Sequence, residues 1–216
     1  MLQGLTLRDP QRFDLRGELT IGKDVVIDVN VIVEGKNTIG ENSYIGPNTV
    51  LKNVEIGANV TIKGNCFIEE AIITDQCTVG PFARIRPGTR LEANVHVGNF
   101  VEIKNSHIQS NTKINHLSYV GDATIGQHVN IGAGTITCNY DGQNKHRTTI
   151  EEGVFVGSNT ALVAPIYVGK NAVIGAGSTL SKCVPAEQLT VSRAKARSLA
   201  NWKRPTRKAD TSGENT

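Results

Sequence analysis

Five side chains that could bind a substrate or take part in a reaction fall within one stretch of the sequence: Arg86, Lys104, His116, Tyr119 and Asn130. Two cations suit a phosphate group, because charge-assisted hydrogen bonds to phosphate are strong. An imidazole suits removal of a proton near neutral pH. With the phenol and the amide, these groups could form a cleft that holds a phosphorylated substrate and takes a proton from it. The alternative is that the two cations are solvated surface charges and that the histidine is an ordinary surface residue.

A polar loop follows these residues at about 138–148 and contains Asn139, Tyr140 and Lys145. It is too polar to be buried and is long enough to reach a neighbouring chain. We therefore expect it to add groups to the same cleft. The alternative is a tolerated insertion, since surface loops lengthen at little entropic cost.

The elements that must position these residues are predicted by a repeat of six. From Ile21 to Ile131, and again from Ile150 to Leu180, an aliphatic residue recurs every six positions, apart from four steps of five. Glycine directly follows many of these residues, whereas Arg86 takes that position in its own repeat, as Lys104 does. The pattern is typical of a parallel β-helix, in which each unit is a short strand plus a corner and its aliphatic residue points inward. The repeats would make roughly eight to nine triangular turns.

An ordinary β-sandwich is the alternative fold, but its turn signals would come about every 8 to 12 residues, and a sustained period of six argues against it. The pattern divides the chain into a junction segment (1–17), the β-helix domain (18–184) and a short C-terminal extension (185–216). The extension carries seven cations and no acid between Arg193 and Lys208. Nucleic-acid binding is weakly supported, because one Trp offers little for base stacking. A polyphosphate ligand is the narrower interpretation, and a solvated tail is its alternative.

Composition excludes several classes of protein. The 216 residues are 38% hydrophobic and 5% aromatic with a net charge of +3, and no window approaches the roughly 18 apolar residues of a membrane span. The first residues do not resemble a secretory signal, so we expect a cytoplasmic chain with no membrane partner. The four cysteines form no CxxC pair, which predicts reduced thiols. The histidines show no tight spacing of the kind that a three-histidine metal site would need.

Several motifs resemble a known family: PFARIRPG (81–88), VGNFVEIK (97–104), NHLSYVGDA (115–123), NIGAGTITCNYDG (130–142), VFVGSNTALVAP (154–165) and VSRAKA (191–196). They are similar to the C-terminal acetyltransferase domain of the bacterial bifunctional N-acetylglucosamine-1-phosphate uridyltransferase/glucosamine-1-phosphate acetyltransferases. The likeness covers about residues 3–205. It goes well beyond a generic hexapeptide repeat, because GAGTITCNYDG and NFVEIK are not repeat consensus.

The resemblance implies a left-handed parallel β-helix, a homotrimer and transfer of an acetyl group from acetyl-CoA to the 2-amino group of glucosamine 1-phosphate. The product would serve UDP-N-acetylglucosamine synthesis. By resemblance, His116 is the proton acceptor, and either Asn139 or a backbone N–H near Ala133 would meet the developing oxyanion. The implied sugar-phosphate contacts are Arg86, Lys104, Tyr119, Asn130 and Lys145. The implied acetyl-CoA contacts are Ala133, Asn139, Tyr140, Ser158, Ala176 and Arg193.

One feature of that family is not found in this sequence, namely its N-terminal nucleotidyltransferase domain. We therefore expect a domain fragment without uridylyl transfer, and no metal, because the family's Mg²⁺ belongs to the other half. Two alternatives stay open. One is a hexapeptide acyltransferase with a different acceptor or a longer acyl chain, and the other is a structural β-helix that only trimerises a partner domain.

Overall fold

Short parallel strands build almost the whole protein in the computed structural model, which describes residues 4–204. They wind into a coil with three sides, and each strand pairs with strands one turn before and after it. Tyr44 pairs with Thr61 and Thr61 with Thr78, so one turn takes about three repeats of six. The predicted parallel β-helix is confirmed.

The strands divide among the three sides. The first side holds the 11-stranded sheet Leu5–Leu7, Val25–Ile27, Tyr44–Ile45, Thr61–Ile62, Thr78–Val79, His96–Asn99, Lys113–His116, Asn130–Ile131, Phe155–Val156, Val173–Ile174 and Leu189–Thr190. The second side holds Val50–Lys52, Phe67–Glu69, Arg84–Ile85, Glu102–Lys104, Tyr119–Gly121, Ile136–Cys138, Ala161–Val163 and Thr179–Leu180. The third side holds Glu55–Ile56, Ala71–Ile73, Thr89–Leu91, His107–Ile108, Ala123–Ile125, Thr148–Ile150 and Ile166–Val168. Two longer strands, Phe13–Ile21 and Val31–Ile39, run across the second and third sides, and a single 3₁₀ turn spans Pro10–Arg12.

The core is the interior of the coil. Every aliphatic residue of the predicted six-residue ladder is buried except Ile21, which is half-buried and packs against the core. A second inward row lies two residues before each ladder position and is smaller and partly polar, as at Val95, Ser106 and Thr112. Most of its hydroxyls are hydrogen-bonded where the backbone turns, whereas those of Thr49 and Thr148 are buried without a partner among the described residues. Thr112 Oγ1, for example, donates to the Gly126 oxygen at 2.7 Å and accepts from the Val129 nitrogen at 3.1 Å.

The coil extends further at both ends than the ladder indicates. Leu5–Leu7 pairs with Val25–Ile27, and Leu189–Thr190 pairs with Val173–Ile174. Eleven strands on the first side correspond to about ten turns, so the expectation of eight to nine turns is corrected. The ladder missed these turns because their inward positions depart from the strict spacing. The three domain boundaries stay predictions, and the end of the basic extension, residues 205–216, lies outside the described residues, as do residues 1–3.

The corner between the first and second sides carries a row of residues in left-handed backbone conformation. Glycine usually fills such positions because it has no Cβ, and asparagine fills them because its short polar side chain can hydrogen-bond locally. Here the row, one residue per turn, reads Asn30, Asn48, Asn65, Phe82, Phe100, Leu117, Gly134, Asn159 and Gly177. Its three large apolar members have φ of 56°, 55° and 49° and are 50%, 55% and 63% exposed. We call Phe82, Phe100 and Leu117 the apolar corner.

Within residues 4–204, no helix is long and apolar enough to cross a membrane.

Candidate functional site

The first group of candidate residues lies along the corner between the first and second sides. His116 ends the strand Lys113–His116, and the register of the strands sets Ala133 and Ser158 at the same place one and two turns further on. Ala176 follows on the next turn, where its carbonyl oxygen accepts a hydrogen bond of 2.9 Å from Arg193. At about 4.8 Å per turn, this row runs roughly 14 Å along the coil. An extended ligand could therefore bind along this row, from the imidazole of His116 to the guanidinium of Arg193.

The second group, which we call the cation group, lies at the far end of the second side and consists of Arg86, Lys104 and Lys145. Lys104 pairs with Gly121, and Arg86 comes one turn before Lys104. The Arg86 guanidinium donates to Glu102 Oε1 at 2.8 Å, and Lys145 from the loop lies against Lys104. The contact with a second ammonium group lowers the pKa of Lys145. Cations held this close are a favourable site for an anion, whose charge would relieve their repulsion.

A buried carboxylate lies beside the two lysines. Asp122 is 7% exposed and accepts hydrogen bonds of 2.5 Å from the side-chain amides of Asn105 and Asn139. Burial raises the pKa of Asp122, but those hydrogen bonds and the charges of Lys104 and Lys145 outweigh it, so the pKa stands below its ordinary value. Asp122 is therefore an anion that ties the coil to the loop.

Gly121 makes room for the phenol of Tyr119. A Cβ at Gly121 would lie 2.5 Å from Tyr119 Oη and 2.7 Å from the Asn139 amide nitrogen. The two polar groups meet across this space, with Asn139 Nδ2 at 3.5 Å from Tyr119 Oη. The glycine therefore lets Tyr119 lie against the cation group.

The predicted loop is a small, internally bonded hairpin. Asp141 accepts from the backbone nitrogens of Asn144 at 2.6 Å and Gln143 at 2.8 Å, and from His146 Nε2 at 2.6 Å. The bonds from Asn144, His146 and Gln143, in that order, hold the pKa of Asp141 well below its ordinary value. The loop turns back, so that Lys145 meets Lys104 of its own chain.

Not all candidates come together in one protomer. Asn130 starts its strand and pairs with Lys113, so it lies at the opposite end of the first side from His116, about 10 Å away along the strand. Tyr140 is 60% exposed on the loop and donates to the Gly142 oxygen at 2.6 Å. One cleft of about 420 Å³, lined by Gln11, Arg12 and neighbouring residues, lies several turns away. In the described part of the chain, no three His, Cys, Asp or Glu side chains converge as metal ligands would.

Three residues of the site were missed by sequence reasoning: Asn99, Glu102 and Asp122. Each lies about one turn of the coil from a predicted residue, and Asn99 Oδ1 is 2.9 Å from His116 Nδ1. The turn length of 17 or 18 residues would have found them, because it identifies which residues are stacked. The six-residue ladder alone does not make that link.

Comparisons with known proteins agree with this architecture. Residues 147–182 match the family model described as bacterial transferase hexapeptide (six repeats), and residues 15–91 match the model described as GMPPB C-terminal domain. The chain is 56% identical over 208 residues to the bifunctional protein GlmU of Ruthia magnifica subsp. Calyptogena magnifica, which covers 96% of this chain and 46% of the relative. It is 57% identical over 206 residues to GlmU of Methylococcus capsulatus, covering 95% and 45%. Over the part that it spans, this chain belongs to the GlmU family.

The chain spans somewhat less than half the length of the curated GlmU relatives it matches. The relationship to GlmU confirms the resemblance inferred from the motifs. Among solved structures, the UDP-N-acetylglucosamine acyltransferase of Francisella novicida is 18% identical, with a TM-score of 0.49 over 87% of this chain and 67% of the other. At that score the likeness adds nothing to the GlmU relationship.

Proposed function

We propose that this chain transfers an acetyl group from acetyl-CoA to the 2-amino group of glucosamine 1-phosphate. The observation that carries the proposal is the row from His116 through Ala133, Ser158 and Ala176 to Arg193, which runs along one corner of the coil. An extended pantetheine arm fits such a row. The thioester would lie at the imidazole, and the phosphates of the coenzyme would lie toward the basic extension.

His116 acts as the general base. An amine attacks a thioester only when it is unprotonated, so a proton must leave the ammonium group or the tetrahedral adduct. The imidazole lies at the exposed end of its strand, with one ring nitrogen bonded to Asn99. The other nitrogen is left to take the proton.

The oxyanion of the adduct needs hydrogen-bond donors, and two groups of this chain could supply them. The Asn139 amide is engaged with Asp122 at 2.5 Å and lies 3.5 Å from Tyr119 Oη. This engagement favours the alternative, a backbone N–H near Ala133, which follows the imidazole by one turn.

The phosphate of the sugar binds the cation group. Arg86, Lys104 and Lys145 offer charge-assisted donors, and the lowered pKa of Lys145 reflects a repulsion that a bound phosphate relieves. Their role is to position the substrate so that the amine faces the thioester. Tyr119, beside the same group, would contact the sugar.

We further propose that the chain works as a homotrimer with sites between copies. The apolar corner supports it, because large apolar residues at φ near 55° are strained and exposed at once. Burying these exposed apolar side chains against a second copy would be energetically favourable. Asn130 and Lys104 support it as well, because each lies about one side of the coil away from His116 of its own chain, and a second copy would bring such residues to that imidazole.

The chain is proposed to act in the cytoplasm, since its four cysteines are free thiols, as a reducing compartment keeps them. Acetyl-CoA serves as the co-substrate, and the acetyl transfer proposed for this chain uses no metal. Nucleic acid and membrane are not proposed as partners.

The rival enzyme is an acyltransferase of the same fold with another acceptor or a longer acyl chain. A competition assay separates the two. The chain is given equal amounts of acetyl-CoA and a long-chain acyl-CoA, together with equal amounts of glucosamine 1-phosphate, glucosamine and glucosamine 6-phosphate. Release of the coenzyme thiol is measured, and the acylated products are identified. We expect glucosamine 1-phosphate to dominate. Preference for the sugar without phosphate would overturn the assignment of the cation group, and preference for a long-chain acyl-CoA over acetyl-CoA would favour the rival.

A purely structural β-helix is the non-enzymatic rival. It requires the corner and the core but has no need of His116 or of the cation group. It predicts no turnover in the same assay, from a chain that is nonetheless folded and trimeric.

A further inference from the structure

The imidazole of His116 has a single hydrogen-bond partner in the described structure, the side chain of Asn99. The distance from Asn99 Oδ1 to His116 Nδ1 is 2.9 Å. The two residues are also register partners on adjacent strands of the first side, His96–Asn99 and Lys113–His116. The contact is therefore formed between two strands of the coil, without any residue of the loop.

Gly98 makes this close pairing possible. A Cβ at Gly98 would lie 1.9 Å from the backbone oxygen of Asn115, which no side chain could tolerate. The two strands approach closely here, so Asn99 and His116 are brought side by side at the end of the pair. Both strands run one or two residues further than most strands of this side, up to this pair.

We propose that Asn99 is a positioning residue that selects the tautomer and the orientation of the His116 imidazole for catalysis. This inference rests on the proposed function. An amide oxygen can only accept, so it requires the proton on Nδ1 and leaves Nε2 with a free lone pair. A neutral amide does this without adding a charge, whereas a carboxylate in its place would make the imidazole a stronger base and keep it protonated at neutral pH.

Kinetics of two variants test the role. Asn99→Ala should lower kcat about tenfold, the change that one ordinary hydrogen bond carries, with little effect on either KM. Asn99→Asp should restore the orientation and move the acidic limb of the kcat–pH profile upward by about one pH unit. The ionisable groups on the adjoining elements are His96 and Lys113 on the two paired strands, and Glu102, Lys104 and Tyr119 on the strands that follow them. They are the same in all variants, so the movement would come from position 99.

The control is Asn94→Ala. Asn94 donates from its side chain to Asn111 Oδ1 at 2.7 Å, also 17 residues further on, but on another corner of the coil. Asn94 has φ of 59°, so its replacement by alanine costs stability as well as a bond between turns. It should leave kcat and the pH profile unchanged. Equal losses in the Asn94 and Asn99 variants would make Asn99 merely structural and overturn the proposal.

Nitrogen-15 NMR of the histidine side chains gives a readout besides activity. The His116 signals are assigned by their loss in His116→Gln. We expect the Nδ1–H tautomer in the intact chain and a mixture in Asn99→Ala. The Nε2–H tautomer in the intact chain, or no change in Asn99→Ala, would overturn the proposal even if acetyl transfer is fully active. An intact chain with no acetyl transfer but with the expected tautomer would overturn the proposed function instead.

Discussion

Asp122 accepts a 2.5 Å hydrogen bond from Asn139, one turn further along the chain, and so joins the coil to the loop that leaves it. The same carboxylate lies 3.9 Å from Lys104 Nζ. A single buried anion thus sets the relative position of the loop and of the cation group. The geometry of the proposed phosphate site depends on a residue that the sequence pattern did not identify.

Asp122→Asn should destabilise the protein near neutral pH, with a smaller effect in acid. Asparagine tolerates the left-handed backbone at this position, φ 50°, so the variant isolates the charge. Because the folded pKa of Asp122 is below its ordinary value, the carboxylate adds stability above that value, and the stability is lost as the pH falls through the folded pKa. Thermal unfolding of both proteins at pH 7 and pH 3 checks this. A difference in Tm that is equal at both pH values would contradict it.

His116→Ala should lower kcat by roughly 10²-fold or more with little change in either KM, because general-base catalysis contributes about 10² to 10⁴. His107→Ala is the matched control, since His107 lies on the third side and bonds Glu92 at 2.9 Å. Steady-state kinetics against both substrates measures the effect. If the loss appeared only in KM, His116 would be a binding residue.

Arg86→Ala and Lys104→Ala should each raise the KM for glucosamine 1-phosphate and spare that for acetyl-CoA. A charge-assisted hydrogen bond of about 1.5 to 3 kcal/mol corresponds to roughly 10- to 150-fold in binding. Arg193→Ala should show the reverse pattern. Arg90→Ala, which removes a cation paired with Glu92 on the third side, should change neither KM. If the Arg86 and Lys104 variants weakened only the binding of acetyl-CoA, the assignment of these residues to the sugar phosphate would be wrong.

Phe100→Asn tests the apolar corner as an interface. Asparagine fills the equivalent position at Asn48 and Asn65, so it suits the backbone better than phenylalanine does. The better backbone fit offsets the loss of the ring contact with Phe82, whose centroid lies 5.3 Å from that of Phe100, so the stability of a single protomer should change by less than about 1 kcal/mol while the oligomer weakens. Light scattering over a dilution series measures the oligomer. A trimer that persists unchanged would mean that the corner is not buried between copies.

The coil could be predicted from the sequence because an aliphatic inward-facing residue recurs about every six positions. Even Thr137, the polar residue at the next expected rung, is buried at 1% exposure and bonds the backbone of Gly121. The second inward row was not predicted, because it mixes Val, Ala, Cys, Ser and Thr, with Asn37 and Ile166 among them, and so has no common chemical character.

The candidate site was predicted in its residue types and in part in its arrangement. Arg86, Lys104 and the loop were identified as breaks in the repeat, and His116 as an imidazole at a corner of the coil. Asn99 and Asp122, which hydrogen-bond residues of the site, were not identified. Each contacts a residue 17 positions further along the chain, and the six-residue repeat does not show that pairing. The loop's return to its own coil depends on bonds around Asp141 that no periodicity records.

Acetyl transfer by the intact chain is the most direct test of the central claim. The chain is incubated with acetyl-CoA labelled in the acetyl group and with glucosamine 1-phosphate, and the sugar product is identified by mass spectrometry and NMR. The account predicts catalytic turnover that places the label on the 2-amino nitrogen, with the phosphate retained, and loss of that turnover in His116→Ala. No product from a folded chain, or a label on a hydroxyl group, would contradict it.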